Sequence, residues 1–310
     1  MKQLQDFGLI KVIPGNNGGR FPFCNTLLID DNVKAVVDPG AGLEILQEIN
    51  ESRHIDLVFD THVHFDHIVY NYVFNQSRIM VNEHEAIYFQ DRREFLKMTG
   101  VFEAMGEAWA DKWLELIKQP NSPKSPFTPT YRHEWHLSLA RLGGTYRWGE
   151  TIDFGHTKME IVAAPGHSKG FSVMYFPDQG IVYCGDIDLT KHGPWCEDAD
   201  QFIASAHRVA ELDADIFITS HQRGLVTKAE FAAELERYLE VIPQRDHQIL
   251  NCIKEPMSLE DIVRIGLVYG SRIFTDEFLY CWEWAVIKEH LNRLVNQGLV
   301  IFDHGKYRRT

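Results

Sequence analysis

The chain predicts an α/β fold, and three observations carry that prediction. Short apolar runs of strand length alternate with helical stretches along most of the sequence. Residues able to do chemistry collect where those runs end, as expected of loops gathered at one rim of a sheet. With 310 residues and 45% apolar content, the chain can bury a core large enough for stacked layers.

The elements follow in order. β-like runs occupy residues 8–13, 26–29 and 34–37, and a helical stretch covers 43–49. A strand at 56–59, a helix at 66–74 and a strand at 78–81 continue the alternation. Asn82 and Glu85 have capping-box spacing, which predicts a helix starting there. Runs at 159–163, 172–176, 181–184 and 216–219 supply a second sheet, with Pro177-Asp178-Gln179-Gly180 as a hairpin turn.

The densest chemical signal is His62-Val63-His64-Phe65-Asp66-His67, directly after the apolar Leu57-Val58-Phe59. Zinc and neighbouring divalent metals take imidazole nitrogen and carboxylate oxygen as ligands. In an extended run, residues i and i+2 face the same side, so His62 and His64 can hold one ion together. Asp66 and His67, at the next bend, can reach a second. Further groups stand at later strand ends: Pro165-Gly166-His167-Ser168, Cys184-Gly185-Asp186 and Thr219-Ser220-His221-Gln222, with Val36-Val37-Asp38-Pro39-Gly40 upstream. Taken singly, each has an ordinary reading as a turn, a strand end or a hydrogen-bonded histidine. Their order and positions together are what point to a metal site.

The series Asp38, His62-x-His64-x-Asp66-His67, His167, Asp186 and His221 resembles the five-motif signature of the metallo-β-lactamase superfamily, and within it the glyoxalase II-like hydrolases. The resemblance runs from residue 1 to about 225 and implies a four-layer αββα sandwich with two divalent metal ions at one rim. It implies that His62, His64 and His167 hold the first metal and that Asp66, His67 and His221 hold the second. Asp186 would bridge the pair, and Asp38 would support the ligands from behind. Zinc heads the expected metals, with iron and manganese as alternatives. The implied chemistry is hydrolysis, in which a metal-bridging hydroxide attacks a small-molecule thioester, ester, lactone or phosphoester. Asp66 and Asp186 are then the catalytic carboxylates, Asp66 helping to orient that hydroxide.

Departures from particular branches narrow the expectation. Asp at position 186, where many true β-lactamases carry cysteine, argues against antibiotic hydrolysis. His64, where di-iron oxygen reductases carry Glu, disfavours that branch, and the RNA-processing branches have arms and caps absent here. Persulfide dioxygenases keep much of this ligand set with a single iron, and stay open as an alternative.

Composition excludes other classes. No stretch approaches the roughly 18 continuous apolar residues of a membrane span, and the first residues lack the apolar core of a secretory signal. The five cysteines, Cys24, Cys184, Cys196, Cys252 and Cys281, are scattered and odd in number, which suits reduced thiols and a cytoplasmic setting. A net charge of −13 repels nucleic acid and anionic membrane. The expected partner is a small-molecule substrate.

Two segments are extra to the implied scaffold: an insertion within the catalytic domain, residues 1–244, and the tail after it. The insertion at about 83–148 begins with the aromatic-bearing helical sequence of Phe95, Phe102, Trp109 and Trp113. It then passes a proline-rich stretch at 120–129 and ends near Tyr131, His133, Trp135 and His136. Aromatics at helical spacing are more often core than contact surface; a lid over the site is the functional reading, and a homodimer through the same helices its rival. In the loop after Asp186, Trp195 is a candidate pocket wall and His192 a candidate proton donor. Lys169 is a candidate partner for an anionic substrate.

The tail, residues 245–310, reads as a winged-helix-like domain. Ser258-Leu259-Glu260-Asp261 opens a short helix, and 282–296 is amphipathic with Trp284, Ile287, Leu291 and Leu294 on one stripe. A strand, turn and strand follow at 299–309. Lys288, Arg293, Lys306, Arg308 and Arg309 offer a basic edge that Glu260, Asp261, Glu283 and Glu289 dilute. A nuclease or regulator acting through this edge is the rival to the hydrolase reading, and the charge balance favours a tail that packs beside the active site.

Overall fold

The computed structural model describes residues 5–117 and 141–310, so the proline-rich stretch and Tyr131, His133, Trp135 and His136 lie outside the described residues. The chain forms two facing sheets. The first runs β1 (Gln5–Phe7), β2 (Ile10–Ile13), β3 (Thr26–Asp30), β4 (Lys34–Val37), β5 (Leu57–Phe59), β6 (Arg78–Asn82) and β7 (Leu142–Tyr146), in that order. The second holds β8 (Thr151–Asp153), β9 (Lys158–Ala163), β10 (Ser172–Phe176), β11 (Ile181–Gly185), β12 (Ile216–Thr219) and β13 (Leu225–Thr227), with β13 and β8 at its edges.

Period-two alternation sorts each strand between layers. Leu27, Ile29, Ala35 and Val37 face Ile161, Met174, Ile181 and Tyr183 in the core between the sheets. Their neighbours Leu28 and Val36 point outward, beneath Leu46 and Ile49 of the helix Leu43–Arg53. On the opposite side, Val182 and Phe217 pack under Phe202, Phe231 and Leu235 of the helices Ala199–Ala210 and Lys228–Leu239. Both faces of the central strands are buried, which is why these strands read as unbroken apolar runs rather than alternating ones. Helix, sheet, sheet and helix make the four layers, the metallo-β-lactamase fold the sequence implies.

Several local expectations change. Residues 8–13 are not one strand: Gly8, at φ +79°, turns the chain between β1 and β2. The expected helix at 66–74 is broken into Phe65–Ile68 and a 3₁₀ turn at Asn71–Phe74. Asn71 there donates to buried Asp60 at 2.7 Å, a tertiary bond that local propensity does not foresee. Asn82 and Glu85 form no capping box. The helix begins only at Ala86, because the Glu85 carboxylate reaches across to Ser168 Oγ and Gly170 N, at 2.6 Å each. The segment 83–148 is also not wholly extra, since β7 closes the first sheet beside β6.

The insertion helices Arg92–Met98 and Glu107–Ile117 bury Phe95 and Trp113 against Phe65, with Phe102 and Trp109 partly buried beside them. These aromatics are core. The tail contains the capping-box helix Leu259–Val263, the long helix Glu277–Asn296 and the hairpin β14 (Val300–Asp303) and β15 (Lys306–Arg309). The long helix starts before residue 282, capped by Asp276, and serves two cores. Phe278 and Cys281 join the insertion's cluster, while Ile287, Leu291 and Leu294 pack with Ile249, Ile262 and Tyr307. Trp284 is only half-buried.

Two of the tail's basic residues are occupied within the fold. Lys288 pairs with Glu103 of the insertion, and Arg293 pairs with Asp200 and Asp246. Asp246 also accepts from His290 Nδ1 at 2.7 Å, making a mostly buried network between three helices. Replacing Asp246 by Ala leaves Arg293 with only the exposed Asp200 and strands the His290 donor. Urea unfolding of Asp246→Ala should show a loss on the order of 3 kcal/mol, against less than about 1 kcal/mol for Lys288→Ala, whose pair is exposed.

Candidate metal centre

The site forms where strand ends converge. β4 and β5 run parallel, as do β11 and β12, so the segments leaving their C-terminal ends emerge at one rim. Asp38 follows β4, the stretch from Asp60 to His64 follows β5, Asp186 follows β11, and Ser220-His221 follows β12. His167 comes from the connection between β9 and β10. Two glycines allow the chain to pack this closely. A Cβ on Gly40 would lie 2.0 Å from Asp66 O, and one on Gly166, at φ +123°, 2.2 Å from Phe202 N.

All seven predicted ligand residues meet. His62, His64, His167 and Asp186 bring ligand atoms within 4.8 Å of one another, and so do Asp66, His67 and His221. Nitrogens about 2.1 Å from one tetrahedral ion lie about 3.4 Å apart; His167 Nε2 stands 3.2 Å from His62 Nε2 and 2.9 Å from His64 Nδ1. Asp186 divides its carboxylate between the groups. Oδ2 is 3.1 Å from His167 Nε2 and 3.9 Å from His62 Nε2, whereas Oδ1 is 2.9 Å from His67 Nε2 and 3.5 Å from His221 Nε2. His221 Nε2 is 3.1 Å from Asp66 Oδ2.

The donor set fits divalent metal. His67 Nε2 and Asp186 Oδ1 are buried and close, yet neither makes a hydrogen bond. With the His67 proton on Nδ1, facing Asp38, both atoms present lone pairs, an arrangement that a shared cation would satisfy. His62, His64, His167 and Asp186 would hold one ion, and Asp66, His67, His221 and Asp186 another.

Hydrogen bonds behind the ring fix the tautomers. Asp38 is fully buried; its Oδ1 accepts from Thr61 N at 2.7 Å. Its Oδ2 accepts from Thr61 Oγ1 and His67 Nδ1, both at 2.8 Å. Thr61 has given its single proton to Asp38, so its oxygen accepts from His62 Nδ1 at 3.0 Å. His167 Nδ1 donates to Trp195 O at 2.7 Å, and His221 Nδ1 to Gly19 O and Phe23 O at 2.9 Å. Four Nε2 lone pairs therefore point inward, with His64 presenting Nδ1 instead.

Electrostatics divide the ring. Burial, then the nearby imidazole charges, push His64 down to about 3 and His62 well below its usual range, the neutral form that binds metal. Burial also opposes charge on His67 and His221, but facing carboxylates, Asp186 prominent among them, overcome it. Burial likewise opposes ionisation of Asp186, and the His67, His221 and His167 imidazoles outweigh it.

Three residues escaped the sequence reading. Asp188 lies within ligand distance of Asp186 and His221 and accepts from His221 N at 2.9 Å; burial, with Asp186 beside it, pushes its carboxyl up to about 7. Glu85 anchors the loop that carries His167. Arg245 donates to Pro194 O at 2.7 Å and to His192 O, pinning the strand of loop whose next carbonyl, on Trp195, orients His167. Asp-x-Asp after Cys184-Gly185 was the available signal for Asp188. No local pattern marks the other two.

A cavity of about 230 Å³ opens over the ring, walled by Phe65, Thr99, Trp195, Tyr238, Tyr269 and Trp282 among others. Trp195 packs edge-on to His64, their ring centroids 4.9 Å apart, and His192 also lines the space. Lys169 does not. It lies in a neighbouring cleft beside Glu197, on the far side of Trp195. The insertion reaches the cavity through Thr99, and the tail through Tyr269 and Trp282.

A sequence model described as the metallo-beta-lactamase superfamily matches residues 19–221. Acyl-coenzyme A thioesterase MBLAC2 of Homo sapiens is 24% identical over 215 residues, covering 62% of this chain and 66% of that protein. Hydroxyacylglutathione hydrolase of Dechloromonas aromatica (strain RCB) is 26% identical over 171 residues, covering 51% and 61%. The chain thus spans just under two thirds of the length of these curated relatives. Among solved structures, a metallo-beta-lactamase family protein from Thermus thermophilus superposes with a TM-score of 0.72 at 18% identity, over 97% of this chain and 99% of that one. A beta-lactamase domain protein from Burkholderia ambifaria gives 0.66 at 18% identity, over 99% and 94%. At that identity the likeness is one of fold.

Asp38→Asn keeps shape but removes the charge that His67 and Thr61 lean on. Metal titration of this variant should show affinity reduced about 10- to 100-fold with the fold retained by circular dichroism.

Proposed function

The chain belongs to the metallo-β-lactamase superfamily, and from that premise we propose that it is a dinuclear metal-dependent hydrolase of small-molecule thioesters. The observation that carries the reading is the Asp186 carboxylate, one oxygen facing each trio of ligands beneath an enclosed cavity. Bound divalent ions supply a water of lowered pKa and polarise a carbonyl oxygen.

The chain's own residues do the rest. Burial opposes charge on Asp66, but His67 and His221 hold its carboxyl below the usual range, so it stays ionised, the state in which it would hold a metal ion and orient the water bound there. Trp195, Tyr238, Tyr269 and Trp282 wall the space over the ring with aromatic surface. Thioesters lead esters, lactones and phosphoesters because the curated relatives are named as an acyl-coenzyme A thioesterase and a hydroxyacylglutathione hydrolase. Zinc leads iron and manganese on ligand chemistry. The pairing of Lys288 and Arg293 with carboxylates of the fold supports a tail that serves this site rather than nucleic acid.

Purified protein should carry two equivalents of metal by elemental analysis and release free thiol from acyl thioesters. His62→Ala and Asp186→Ala should lose bound metal and turnover together. A metal-loaded protein inactive on every thioester would overturn the reading. So would one iron per chain with oxygen uptake on a persulfide.

A further inference from the structure

A separate cleft lies on the other side of Trp195, between the insertion and the long tail helix. Its volume, about 510 Å³, falls within the roughly 300–1,000 Å³ of small-molecule sites. Tyr88 and Met98 of the insertion, with Trp284 and Ala285 of the tail helix, give it apolar wall.

Most of its charged groups are already satisfied. Lys97 pairs with Glu94 and Lys288 with Glu103, while Glu289 Oε1 accepts from Ala199 N at 3.0 Å. Lys169 and Glu197 remain. They feel each other's charge, yet neither forms an ion pair among the described residues. Glu197 Oε1 is buried without a hydrogen-bond partner, and so is the indole nitrogen of Trp284. Glu85, near enough to repel Glu197, has a buried oxygen in the same condition, Oε2. Buried polar atoms are rarely left unpaired, so leftovers gathered on one cleft mark where a missing partner would sit. A metal ion would serve the carboxylate and leave Lys169 and the indole N–H unanswered. A simple anion would leave Glu197. A molecule bearing an ammonium and a carboxylate serves all three.

We propose that the cleft binds a small amino-acid-like zwitterion with an apolar side chain, and that its occupancy is felt at the metal ring through Trp195. The ammonium donates to Glu197, the carboxylate accepts from Lys169 and the Trp284 indole, and the side chain meets the apolar wall. The path to the ring is short: Trp195 walls both spaces, its carbonyl accepts from His167 Nδ1, and its ring packs against His64. Nothing in this site depends on which bond the metal centre cleaves.

Metal-loaded and metal-stripped protein would each be titrated by calorimetry with L-phenylalanine, L-leucine and L-methionine. Phenethylamine and 3-phenylpropionate serve as probes carrying one charge apiece. At least one amino acid should bind saturably, about tenfold or more tighter than either single-charge probe. Lys169→Gln, an exposed change, and Glu197→Gln should each weaken that binding about tenfold, with the fold checked by circular dichroism. Lys112→Gln, outside the cleft, should leave it unchanged. Binding should survive removal of metal, with affinity altered about fivefold or more. Absence of binding by all three amino acids, or an affinity matched by a single-charge probe, overturns the proposal. Binding that requires metal and ignores Lys169→Gln is chelation at the ring and overturns it as well. Equal affinity with and without metal overturns the transmission through Trp195.

Discussion

The buried carboxylate of Asp38 is the constraint on which the candidate metal centre depends. It sits at the end of β4 with φ +50°, a left-handed conformation costing roughly 1–2 kcal/mol. That bend turns its side chain under the loop leaving β5. There it takes three hydrogen bonds, and through them it orients His67 of one ligand group directly and His62 of the other by way of Thr61. Its own carbonyl accepts from Thr26 Oγ1 at 2.6 Å, tying the bend back to β3. A charge this deeply buried is tolerable only while every acceptor site is used.

The same logic extends outward to the tail. His167 owes its orientation to the Trp195 carbonyl, and the adjoining carbonyls of His192 and Pro194 are held by Arg245, from the helix Val241–Cys252. Arg245 is buried and spends its donors on backbone oxygen rather than on a carboxylate. The long helix Glu277–Asn296 then places Trp282 against Phe21, ring centroids 5.0 Å apart, and completes the cavity wall. Segments far apart in sequence thus share one task, holding a loop that holds a ligand.

Enclosure comes from ordinary packing. Phe65, inside the histidine motif, is clamped between Phe95 and Trp113 of the insertion, so the core of that insertion and the floor of the cavity are one structure. The imidazoles of the ring differ in their electrostatics: His62 and His64 are held neutral, whereas His67, His167 and His221 face carboxylates that favour positive charge. A metal ion held by those imidazoles would displace their protons, so its binding would depend on pH.

The sequence by itself determined the α/β class, the two sheets and the seven side chains that converge at the candidate metal centre. It could do so because these residues follow strands whose apolar runs are long enough to be read locally, and because His62-x-His64-x-Asp66-His67 is a contiguous motif. It also located the tail hairpin and the cap at Ser258. Only the tertiary structure decided the remainder. Glu85 left its helix cap for Ser168, β7 emerged from the insertion to extend the first sheet, and Lys169 turned to a different cleft. Asp188 and Arg245 joined the site through contacts with partners 33 and 51 residues away. Such choices are set by which groups meet when layers close, and a buried carboxylate or guanidinium takes the partner that satisfies it, however distant along the chain.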